Sequence, residues 1–77
     1  GVVDVGAPLL ARSIDDPDFI VGIYAIRGLE QIDTRARPHL AAIKTAQKAP
    51  YEFIRWYAER LTKSLTLYFI YHKHKSF

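Results

Sequence analysis

Few side chains in this 77-residue sequence have the type and spacing that chemistry needs. His72 and His74 alternate with lysines in YHKHKSF, and an i,i+2 spacing places two imidazoles on one side only of a strand. His39 lies on a separate stretch, and with no Cys present nothing completes a zinc set. A solvated basic tail is the better reading. Asp15, Asp16 and Asp18 resemble the opening of a calcium loop, but apolar residues follow where further oxygen ligands are needed. Their expected role is to cap a helix. Glu52 and Glu59 are seven apart, roughly on one side of a helix and about 10 Å from each other along it. Acid and base work would also need a pocket, and so short a chain gives no sign of one. Ser13, Ser64 and Ser76 lack the setting of an activated nucleophile. The expectation is a non-enzymatic chain, with no cofactor, no metal and no small-molecule substrate.

The aromatic residues are the more informative group. Tyr51, Phe53, Trp56, Tyr57, Tyr68, Phe69 and Tyr71 are interleaved with Arg55, Arg60, Lys63 and Lys73. Such a mixture can stack bases while cations hold phosphates, or sit at the headgroup level of a membrane. The simplest reading is core plus a protein interface, where Trp, Tyr and Arg are enriched. The expected interface residues are Trp56, Tyr68, Tyr71, Arg55 and Arg60. The alternative, a nucleic-acid contact, would use Arg35, Arg37, Lys44, Arg55 and Lys63. A net charge of +3, with the cations gathered in the second half, would suit an acidic partner. No dense basic patch stands out, however, and a solvated helical face has the same composition. A membrane surface is the least favoured partner.

Size and composition set the frame for these residues. Apolar content of 49% and charge of 25% are ordinary for a globular domain. One domain over residues 1–77 is the most the length allows, and its core is marginal without a protein partner or a homo-oligomer. The absence of Cys removes disulfides and leans towards an intracellular, reducing compartment. No secretory signal is visible, and no stretch approaches the 18 or so apolar residues a membrane span requires. Starting with Gly and lacking Met, the sequence is expected to be a processed product or a piece of a longer chain.

The elements that must position these residues are read as helices. The central one runs from Asp18 to Ile32, opened by the turn Asp15-Asp16-Pro17-Asp18, with Pro17 in its first turn and Val21, Ala25, Leu29 and Ile32 in one stripe. It is apolar around most of its circumference, so burial on more than one side is expected. Gly22 and Gly28 each weaken a helix by about 1 kcal/mol relative to Ala, which predicts another helix in close approach. Before it, residues 1–7 read as a strand fragment or a frayed helix start, and residues 7–14 as a short helix with Pro8 in its first turn. After it, Asp33 or Thr34 is expected to cap a helix over residues 36–47, with Leu40, Ile43 and Ala46 or Gln47 inward. Pro50 ends that helix. A long amphipathic helix then starts at Tyr51, with Phe53, Ile54, Tyr57, Ala58, Leu61 and Leu65 as its stripe. Residues 66–77 suit strand or helix by composition, and helix is preferred.

The two halves also repeat. Pro8 and Leu10 fall against Pro38 and Leu40 at an offset of 30, and Val21, Ala25 and Ile32 against Ile54, Ala58 and Leu65 at 33. A period in this range with two helices per unit is the signature of an α-solenoid. The Asp16-Pro17 turn followed by Val21, Ala25 and Leu29, and then Ile54-Arg55, Ala58 and Leu61 or Leu65, resembles HEAT repeats of the short bacterial type. The resemblance spans residues 7–65, one repeat over 7–32 and another over 36–65, followed by an aromatic and basic extension over 66–77. Gly22 departs from the Arg usual at its position, and the second repeat lacks the Asp-Pro turn. The resemblance implies an all-α fold of two helical hairpins, four helices in all, as a solenoid fragment or small bundle. It also implies a scaffold or protein-binding role, within a larger protein or as a subunit of an assembly.

Overall fold

A computed structural model describes the backbone of residues 2–75 and the side chains of residues 5–67. The fold is all-α, with four α-helices: α1 (Val2–Ser13), α2 (Phe19–Gln31), α3 (Leu40–Thr45) and α4 (Glu52–Lys75). Short 3₁₀ segments, Asp33–His39 and Ala46–Lys48, flank α3. The molecule is a slab of 45 × 29 × 16 Å. The thinnest dimension matches two layers of helices at ordinary packing distance.

The turn before α2 acts as its residue types suggest. Asp18 is the N-cap, in extended conformation, and its carboxylate accepts the Ile20 N–H at 3.0 Å. Asp16 accepts the Asp18 N–H at 2.9 Å, which closes the turn one step earlier. Pro17 therefore precedes the cap instead of occupying the first helical turn. At the other end Asp33 takes φ 54°, the left-handed conformation that lets the chain leave α2.

Three expectations about elements are corrected. Helix α1 begins at Val2, so Pro8 lies inside it. Pro8 is exposed, and its missing N–H removes one bond from the helical ladder. Over residues 36–47 only Leu40–Thr45 is α-helical. Pro38 lacks an N–H and clashes with the carbonyl four residues back, and the chain takes tighter 3₁₀ turns there instead. Neither Asp33 nor Thr34 caps this segment, which has no side-chain cap bond. The tail does continue the helix, with α4 running to Lys75.

Packing follows two kinds of close approach. Helices α1 and α2 are antiparallel, since Gly28 faces Leu10 and Gly22 faces Ile14. A Cβ built on Gly22 would lie 2.8 Å from the Ile14 carbonyl oxygen and 2.8 Å from the Ile54 Cδ1. The glycine is therefore the point where α1, α2 and α4 converge. Helix α4 lies parallel to α2, with Phe19 beside Tyr51, Gly22 beside Ile54 and Glu30 beside Arg60. The core is Ala7, Ile14, Ala25, Ile26, Leu29, Ala36, Ile43, Ala46, Ile54, Ala58, Leu61 and Leu65, and no polar side chain among the described residues is buried with it. Ala46, not Gln47, turns inward.

The stripes of α2 and α4 differ from their expected composition. On α2 the buried set is Gly22, Ala25, Ile26 and Leu29, while Val21 is exposed. The stripe is displaced because α1 and α4 cover adjoining sides of α2. Phe53, expected inward on α4, is 67% exposed.

Candidate functional site

Val5 and Leu9 are exposed on α1, and the remaining large apolar groups that the core leaves outside lie mainly on or beside α2 and α4. Phe19, Ile20, Val21 and Tyr24 are exposed on α2, and Phe53 and Trp56 on α4. Helical periodicity explains the choice. With Ile54, Ala58, Leu61 and Leu65 inward, Phe53 and Trp56 fall on the outer side of α4, and Arg60 on the flank from which it reaches Glu30 of α2. Tyr51 joins the group across the helix pair, its ring 4.9 Å from that of Phe19.

Arg60 organises the α4 part of this surface. Its guanidinium donates to both carboxylate oxygens of Glu30, with Nη2 at 2.7 and 2.6 Å and Nε at 3.0 Å. The same group lies 4.6 Å from the Trp56 ring centroid and 5.2 Å from that of Tyr57. Trp56 and Tyr57 meet edge to face at 4.9 Å. A planar cation thus clamps α2 to α4 and fixes the orientation of an indole that is 52% exposed. An ordered aromatic side chain loses less freedom on binding than a mobile one.

The sequence-predicted residues divide as follows. Trp56 and Arg60 come together in this cluster. Arg55 points elsewhere, its Nη1 donating to the carbonyls of Ala49 at 2.8 Å and Pro50 at 3.0 Å, so it closes the turn into α4. The side chains of Tyr68 and Tyr71 lie outside the described residues, as do those of His72 and His74. Of the residues singled out for nucleic acid, Arg35 and Arg37 lie on the 3₁₀ segment Asp33–His39 and Lys44 on α3. Lys63 pairs with Glu59 at 3.1 Å, one helical turn away. Phe53 and Val21 are the surface residues that sequence reasoning placed in the inward stripes. The signal that could have found them is the width of the apolar arc, since a helix of a two-layer slab has more apolar circumference here than two neighbours can cover.

The remaining chemistry-bearing groups have structural work or stand alone. Ser13 donates to the Leu9 carbonyl at 2.8 Å, and Thr62 to that of Ala58 at 2.7 Å. Glu52 is exposed in the first turn of α4, and Glu59 faces Lys63. No group of three or more metal-ligating side chains occurs among the described residues. An open groove of about 460 Å³ lies between the end of α1 and the α3 region, lined by Ala11, Arg12, Ala42, Thr45, Lys48 and Pro50 among others. Small apolar residues make up most of its lining, and Arg12, Asp15, Thr45 and Lys48 are its polar members. No helix among the described residues is long and apolar enough to cross a membrane.

Compared with protein-family models, with curated proteins and with solved structures, the chain matches none.

Proposed function

We propose that this chain is a helical protein-binding module of two HEAT-like hairpins, serving as a scaffold within a larger protein or assembly. The observation that carries the reading is the exposed aromatic surface of α4, Phe53 and Trp56, with the indole held in place by Arg60. Large aromatic side chains bury about 150–250 Å² each in an interface, and with Arg they dominate binding energy. The HEAT-like assignment draws support from the antiparallel α1–α2 pair, the parallel α2–α4 pair and the sequence offset of 33 between those second helices. The reading of the basic residues as a nucleic-acid surface has less behind it. Arg55 donates to backbone carbonyls of its own turn and Lys63 pairs with Glu59, and where Lys63 lines a shallow pocket with Trp56 and Arg60 the carboxylate of Glu59 lines it too.

Photo-crosslinking tests the proposal. A benzoyl-phenylalanine is placed at position 53 or 56, with position 35 as a control, in extract of the source cell with and without nuclease treatment. Discrete protein adducts from 53 and 56 and none from 35 are expected. Adducts that vanish on nuclease treatment would move the reading to nucleic acid. The absence of any adduct specific to 53 and 56 would remove it.

A further inference from the structure

The offset of 33 that relates α2 to α4 has a structural counterpart. Helix α4 docks on α2 through Ile54, Tyr57 and Arg60: Ile54 against Gly22, Tyr57 against the core edge, and Arg60 on Glu30. Subtracting 33 gives Val21, Tyr24 and Arg27, a β-branched aliphatic, a tyrosine and an arginine in the same order. These three share one side of α2 by the same helical spacing, and all three are exposed, Tyr24 at 68%. Arg27 makes no ion pair or ring contact with any described residue. Helix α2 therefore carries a second copy of the surface by which α4 is held, with its cation unanswered.

The complementary surface is defined by what α2 offers α4. It consists of a small residue, Gly22, where the helices approach, and a carboxylate, Glu30, eight residues on. The rest of this chain does not repeat it. The positions on α4 equivalent to Gly22 and Glu30 are Arg55 and Lys63, both cationic, so a second copy stacked head to tail would set Arg27 against a lysine. Like charges in that position disfavour such a pairing.

We infer that the Val21–Tyr24–Arg27 face of α2 docks a partner helix running parallel to it, one that presents a small residue opposite Val21 and a carboxylate opposite Arg27. This rests on the protein-binding reading only in that the occupant is a protein helix. It concerns a different set of side chains from Phe53 and Trp56, so the two can fail separately.

The probe is a peptide of residues 15–32, the one sequence known to offer that complement, held helical by a hydrocarbon staple across positions 24 and 28. Circular dichroism verifies its helicity before titration calorimetry with the full chain. One-to-one binding is expected, weakened about tenfold or more by Arg27→Glu in the chain. Recovery is expected when the peptide carries Glu30→Arg. Arg60→Glu in the chain, which breaks the internal α2–α4 contact, should weaken binding less than Arg27→Glu does, because Arg60 already faces Glu30 of its own chain. No binding by a helical peptide, indifference to the charge exchange, or loss on Arg60→Glu in place of Arg27→Glu would each overturn the inference. The crosslinks from positions 53 and 56 are read independently of all three.

Discussion

Three glycines in this chain meet different surroundings, and their alanine variants should separate accordingly. A Cβ at Gly6 would meet nothing within 4 Å, so Gly6→Ala is expected to stabilise by about 0.5–1 kcal/mol through helix propensity alone. At Gly28 the nearest atoms are Leu10 methyls at 3.1 and 3.2 Å, the yielding end of a flexible side chain. Gly28→Ala should fall within about 0.5 kcal/mol of neutral, the propensity gain offset by that crowding. At Gly22 a Cβ would press on the backbone oxygen of Ile14, which has no rotamer to change. Gly22→Ala is expected to cost roughly 1–2 kcal/mol net. Urea midpoints of the three variants check the order, and a Gly22→Ala protein as stable as the parent would refute the three-helix convergence. Asp33 offers a fourth test, since its left-handed φ of 54° suits glycine. Asp33→Gly should raise stability by a few tenths to about 1 kcal/mol.

At the scale of elements, the sequence marked the start of α2 well because the signal is local. Asp18 caps it with one carboxylate bond, and Asp18→Ala should cost about 1 kcal/mol by the same urea measurement. Asp15→Ala, at a residue with no bond to this helix start, serves as the reference variant and should leave the midpoint nearly unmoved. The boundaries of α1 and of the 36–47 region were less legible. Both contain a proline, at 8 and at 38. Proline permits a first turn, an interior position facing water, or a 3₁₀ segment, and its neighbours in space decide among them. The same limit affected α2. Its periodicity identified a helix apolar on most sides, but which side met α1, which met α4 and which met water depended on the direction of the crossings.

At the scale of the whole molecule, the Arg60–Glu30 ion pair joins the two hairpins. Arg60 and Glu30 are about half exposed, at 48% and 36%, so solvent screens much of their attraction. A double-mutant cycle with Arg60→Ala and Glu30→Ala should give a coupling of about 0.5–1 kcal/mol, reduced at high salt. A coupling of zero would mean that the clamp orients Trp56 without joining the hairpins. The exposed aromatic surface predicts a further behaviour. Mass by light scattering should rise with protein concentration, and Phe53→Ser combined with Trp56→Ser should hold the chain monomeric. Because both side chains are largely in water, the melting temperature of that double variant should stay close to the parent value.

By itself the sequence determined the helical character of this protein and the capped turn before α2. It also determined that Gly22 and Gly28 sit where helices touch. These are properties of residues within a turn or two of one another, or of a residue type with only one packing use. Tertiary structure alone decided the rest. It sent Arg55 to the carbonyls of its own turn and Arg60 across to Glu30, though the two arginines sit five residues apart on one helix. It also left Val21 and Phe53 in water while burying Gly22 and Ile54 beside them. A one-residue step turns a helix by about 100°, so whether a side chain meets a neighbour or solvent depends on where the neighbouring helix lies.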